Sequence, residues 1–185
     1  LEPDTVLPTE LNEQELATAI RHYQQAFALL PDGEWRKTYQ LEQLAELLSK
    51  AGRLEEAIET FEQVQGMVEN QASLLADYGE CLIKAGRIEE AVAKLRQVRE
   101  CDKEGFEDGP GCQTMTAETL MGHVAGKQGD WAKAAGHLAA STDVQPCCHT
   151  TTDGFLTYLA RELMPHDRPA VASFCRKVLA KFTPN

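Results

Sequence analysis

The residues of this 185-residue chain best suited to chemistry are its six cysteines and five histidines. Cys101 and Cys112 flank a stretch rich in glycine, and Cys147, Cys148 and His149 follow one another further on. Three chemistries compete for them. A Cys101–Cys112 disulfide would close the intervening loop, with Cys147 or Cys148 pairing elsewhere, and would suit an oxidising compartment. A thiolate and imidazole set of Cys101, Cys112, Cys147, Cys148 and His149 would suit zinc or another soft metal, provided four ligands converge. Unpaired thiols in a reducing cytosol are the plainest reading and the leading one, so no metal and no cofactor is expected. No CxxC pair is present, which removes the usual signature of dithiol redox chemistry and of zinc ribbons. Cys81 and Cys175 sit in apolar helical patterns and read as small packed residues.

Catalytic signatures are missing. There is no G-x-S-x-G elbow, no phosphate loop, no G-x-G-x-x-G after a strand and no H-E-x-x-H. The many carboxylates lie at helical spacing, where pairing with Lys or Arg and solvation are the ordinary roles. Glu55-Glu56 and Glu89-Glu90 open helices, where the dipole favours negative charge. The expectation is a non-catalytic protein. Acidic residues outnumber basic ones 29 to 18, a net charge of −11, and no basic footprint for nucleic acid exists. No run of about 20 apolar residues would cross a membrane. The chain starts at Leu1 rather than Met and reads as a trimmed or processed piece, so the lack of a signal peptide decides little. The compartment is open, with the cytoplasm slightly favoured over export.

The elements that must position these residues are declared by a repeat. Ala51-Gly52-Arg53-Leu54-Glu55-Glu56-Ala57-Ile58 returns as Ala85-Gly86-Arg87-Ile88-Glu89-Glu90-Ala91-Val92, 34 residues on. Leu41 then maps to Leu75, Leu48 to Leu82 and Phe61 to Leu95. A weaker copy, Gly129-Asp130-Trp131-Ala132-Lys133-Ala134-Ala135, comes about nine residues later than the period requires, the excess falling in 102–111. Leu41, Leu44, Ala45 and Leu48 share one helical face. Ala45, Gly79 and Gly122, with Ala57, Ala91 and Ala134, would let paired helices approach closely. Gly52, Gly86 and Gly129 fall where a helix must end in a left-handed residue, and Asp130 reads as the next N-cap.

These residues resemble the tetratricopeptide repeat (TPR) family of helix–turn–helix units. The resemblance is strong over 38–104, fair over 115–146 and weak at both ends, and Glu118 stands where the pattern wants an apolar residue. It implies an all-α, right-handed α-solenoid of about four units with a degenerate first and last unit. An irregular segment, 1–12, would precede a solenoid over 13–182, with units near 13–37, 38–71, 72–114 (insertion 102–111), 115–148 and 149–182. Stacking would also gather Cys101, Cys112, Cys147, Cys148 and His149 along one edge.

The resemblance further implies a protein-interaction scaffold that holds a protein or peptide against the first helices of its units. The corresponding positions are Tyr39, Glu42, Glu46, Ser73, Glu80, Ile83, Thr119 and His123. Some TPR domains grip a terminal carboxylate with basic residues; Glu42, Glu46 and Asp77 stand near those places here, so that clamp is absent. The glutamates point instead to a basic ligand, against the plainer reading of a solvated helix face. Two alternatives accompany the scaffold: a metal- or redox-responsive module on the cysteine edge, and the adaptor domain of a larger enzyme or secretion assembly. Self-association through open ends is a further expectation.

Overall fold

The computed structural model describes residues 12–31, 35–68, 71–101, 112–143 and 154–182. Among them every regular element is an α-helix. The chain divides into two compact units, Leu1–Glu69 and Asn70–Asn185.

The first unit holds α1 (Glu13–Leu29), α2 (Trp35–Lys50) and α3 (Leu54–Met67). Asn12 starts α1 with a capping box: its side chain accepts from the amides of Gln14 and Glu15, and Glu15 accepts from the amide of Asn12. Helix α2 packs on both α1 and α3. Leu41, Leu44, Ala45 and Leu48 are buried, as are Ala57, Ile58, Phe61 and Val64 of α3. The face implied by the i, i+3, i+4, i+7 spacing is therefore the packed one.

The second unit holds α4 (Ala72–Lys84), α5 (Ile88–Cys101), α6 (Cys112–Lys127), α7 (Trp131–Ser141), α8 (Gly154–Leu163) and α9 (Arg168–Phe182). Helix pairs α4–α5, α6–α7 and α8–α9 pack as hairpins; α6 also meets α4, α5 and α8, and α7 also meets α8 and α9. Two apolar clusters result. One joins Leu75, Leu95, Val98, Leu120 and Met121 across α4, α5 and α6. The other joins Met115, Leu138, Leu159, Leu163, Val171 and Phe174 across α6 to α9. Contacts run between neighbours in sequence, so each hairpin draws its burial from the next.

The turn is made the same way three times. Gly52, Gly86 and Gly129 have φ of +74°, +78° and +79°. The residue after each glycine donates its amide to a carbonyl five residues back: Arg53 to Leu48, Arg87 to Leu82 and Asp130 to Ala125, each at 2.9 Å. The next helix then opens with Arg53 on Glu56 or Arg87 on Glu90, both two-pronged. At the third turn the Asp130 carboxylate caps the Lys133 amide instead. Close approach accounts for Gly79: an added Cβ would lie 2.7 Å from Leu95 Cδ2.

Two expectations about cysteine divide. Cys81 is fully buried, as a packed residue should be, whereas Cys175 is exposed. Helix α9 turns Val171 and Phe174 inward, and Cys175 follows Phe174 onto the outer side. Of the cysteine-edge set, Cys101 ends α5 and Cys112 begins α6; Cys147, Cys148 and His149 lie outside the described residues. Among the described residues no helix is long and apolar enough to cross a membrane.

Candidate functional site

In the first unit, Tyr39, Glu42 and Glu46 follow at helical spacing on α2. Tyr39 is 49% exposed. Glu42 is half-buried, and burial first, then the Glu46 charge, raises its carboxyl above the usual range. Glu46 lies 3.4 Å from Lys50 Nζ and accepts from Gln43 Nε2 at 3.4 Å.

In the second unit, α4 carries Ser73, Glu80 and Ile83, all half-buried. Glu80 is paired with Lys84 at 2.8 Å. Two of the three glutamates expected to greet a basic ligand thus have a lysine of their own one turn on, which weakens their bare field.

Thr119 departs from its expected role. It is 3% exposed, and its hydroxyl donates to the Met115 carbonyl at 2.9 Å. Helix α6 is packed against α4, α5, α7 and α8, so most of its circumference is inside and a position left open elsewhere closes here.

His123, also on α6, is brought to a residue that sequence reasoning did not select. Its Nδ1 lies 2.7 Å from Glu162 Oε2 on α8. The Tyr158 ring sits 5.5 Å from the imidazole at a tilt of 54°. The Glu162 carboxylate thus holds the imidazole by its Nδ1 edge.

A second carboxylate–imidazole pair lies on the other side of α6. Glu118, 1% exposed, places Oε2 2.7 Å from His137 Nδ1 on α7 and Oε1 3.1 Å from Arg99 Nη1 on α5. The arginine lies within ion-pair reach, yet Oε1 makes no well-aligned hydrogen bond. The Arg99 contact is thus mainly one of charge, and His137 supplies the direct bond. Sequence carried one signal for this site, an acidic residue at an apolar repeat position; a charge buried there requires partners. No such signal marked Glu162 or Tyr158.

Among the described residues no group of three or more His, Cys, Asp or Glu side chains could hold a metal ion. Cys101 alone of the cysteine-edge set has a described side chain.

Comparison with known proteins agrees with this architecture. Residues 48–107 match the tetratricopeptide repeat family model. Crystal structures of nearly identical TPR-like repeats from Podosopora anserina, kinesin light chain-like in type, superpose with a TM-score of 0.63 at 16% identity, covering 91% of this chain and 89% of theirs. A single-substitution variant of those repeats gives 0.64 at 16% identity, over 91% and 88%. At that identity the likeness is one of fold. No curated protein matches the sequence. The chain carries tetratricopeptide repeats over residues 48–107, and its fold is that of TPR-like helical repeat proteins.

Proposed function

We propose that the chain is a non-catalytic interaction scaffold that holds a peptide or partner segment on the first helices of its hairpins. The observation that carries this reading is the repeated hairpin itself. The inner faces of the helices are consumed by packing, while Tyr39, Glu42, Glu46, Ser73, Glu80, Ile83 and His123 keep partial access to solvent. Half-buried polar groups of this kind, on each unit's packed helices, suit many modest contacts with an extended chain. Charge favours a basic ligand, since the protein carries −11 overall. The pairing of Glu46 with Lys50 and of Glu80 with Lys84 moderates that preference.

The test begins with affinity capture using the intact chain. The recovered partner is then purified and its binding measured to the parent and to Glu46→Lys/Glu80→Lys. The charge-reversed protein is expected to bind a basic partner at least several-fold more weakly. Equal affinity, with the fold intact, would remove these helix faces as the contact surface.

A further inference from the structure

We infer that Glu162, Tyr158 and His123 form a subsite for one arginine or lysine side chain of a bound peptide. The inference rests on the scaffold reading and locates, within the second unit, where a basic residue is read.

Three observations converge. Glu162 is 28% exposed in its side chain and uses Oε2 on His123. Among the described residues no lysine or arginine pairs with it. This sets it apart from Glu46 and Glu80, each answered by a lysine four residues on. The residue four beyond Glu162 is His166, which stacks on Trp131 with ring centroids 3.6 Å apart. Helix α8 therefore supplies no cation of its own at that step.

Tyr158 precedes Glu162 by one turn on the same helix face and is 54% exposed. It is a large aromatic left open beside a carboxylate. A cation within about 6 Å of an aromatic centroid is attracted by the ring, and one turn along the helix it meets the Glu162 carboxylate. His123 completes the arrangement. Its imidazole Nδ1 lies 2.7 Å from Oε2, which fixes the orientation of the Glu162 carboxylate beside the Tyr158 ring. A planar guanidinium can stack on the ring while donating edgewise, so arginine should be preferred over lysine.

The experiment uses fluorescently labelled dodecapeptides with a common Ala/Ser frame and Arg, Lys, Ser or Glu at one central position. Anisotropy is read against the full chain. The Arg peptide should bind about tenfold more tightly than the Ser peptide, with Lys between them and Glu weakest. Glu162→Gln should erase most of that preference. Tyr158→Ala should reduce it about threefold, and Tyr158→Phe, which keeps the ring, should leave it intact. Glu46→Gln/Glu80→Gln should leave the ratio of Arg to Ser affinity unchanged. Circular dichroism melts accompany each variant. Should Glu162→Gln fail to fold, the Ala and Phe replacements of Tyr158 decide. An Arg preference that survives Glu162→Gln, or that disappears in the Glu46/Glu80 variant, overturns the subsite and leaves the scaffold reading standing. Absence of binding by every peptide overturns the subsite, while the scaffold reading is decided by the captured partner.

Discussion

The α4–α5 and α6–α7 hairpins solve the same packing problem with opposite chemistry. Leu75 and Glu118 each stand eleven residues before the turn glycine, and each is 1% exposed. Leu75 is surrounded by Leu95, Val98 and Met121. Glu118 is met by His137 from α7 and Arg99 from α5. Apolar contact is undirected, so Leu75 accepts any neighbour of suitable shape. A buried carboxylate demands particular partners, and Glu118 takes one from the helix before it and one from the helix after. The glycines differ likewise. Gly79 makes room for Leu95 of its own hairpin, whereas an added Cβ on Gly122 would lie 2.6 Å from Leu159 of the next hairpin. The α6–α7 hairpin is thus specified by its neighbours to a degree that α4–α5 is not.

The comparison breaks most visibly if Glu118 is stranded. Arg99→Leu/His137→Leu should cost about 3–5 kcal/mol, because a buried carboxylate then has no counter-charge. Urea unfolding at neutral pH measures it, and a cost under about 1 kcal/mol would mean that the partners are ornamental. The turns supply an internal standard. Gly52, Gly86 and Gly129 share a left-handed φ, and a Cβ at any of them meets nothing within 4 Å. Alanine at each should therefore cost the backbone term alone, about 1–2 kcal/mol, with similar values at Gly86 in the α4–α5 hairpin and Gly129 in the α6–α7 hairpin. A much larger loss at Gly129 would show that the α6–α7 turn carries a burden the others do not.

Removing the carboxylate rather than its partners should do far less. In Glu118→Leu, Arg99 and His137 retain access to water, at 52% and 18% side-chain exposure. Stability should stay within about 1 kcal/mol of the parent, or rise, as apolar replacements of buried ion pairs often do. The smallest effect concerns pH in the first unit. Burial and Glu46 hold the Glu42 pKa above its ordinary 4.5 in the folded protein. The folded state therefore binds the proton more readily than the unfolded chain. The penalty of the buried charge is full above the folded pKa and is relieved as pH falls from there towards 4.5. Relative to Glu42→Gln, the parent should gain stability on acidification through that window, followed by urea midpoints of both proteins; a constant difference would contradict the burial of that carboxylate.

Much of the fold was legible in the sequence because the repeat encodes local physics. A left-handed turn requires Gly52, Gly86 and Gly129, close helix approach requires Gly79 and Ala91, and the leucine spacing marks the buried face of α2. The surface was less legible. The His123–Glu162 pair joins residues 39 apart, on different hairpins, and no periodicity within either helix announces it. Thr119 is buried because a repeat position open on a helix with fewer neighbours is closed on α6, and the spacing alone does not tell the two apart. Cys175 is exposed because α9 packs along one side, that of Val171 and Phe174, so an apolar segment does not bury every position. Glu118 was visible as an anomaly, but its partners on α5 and α7 required the stacking itself.

The central functional claim is that ligands are held on the first helices of the hairpins. Hydrogen-exchange mass spectrometry of the intact chain, with and without a saturating concentration of the arginine dodecapeptide, tests it most directly. The account predicts added protection in α4, α6 and α8, greatest near Tyr158 to Glu162, with α5, α7 and α9 unchanged. Protection confined to α5, α7 and α9 would contradict it.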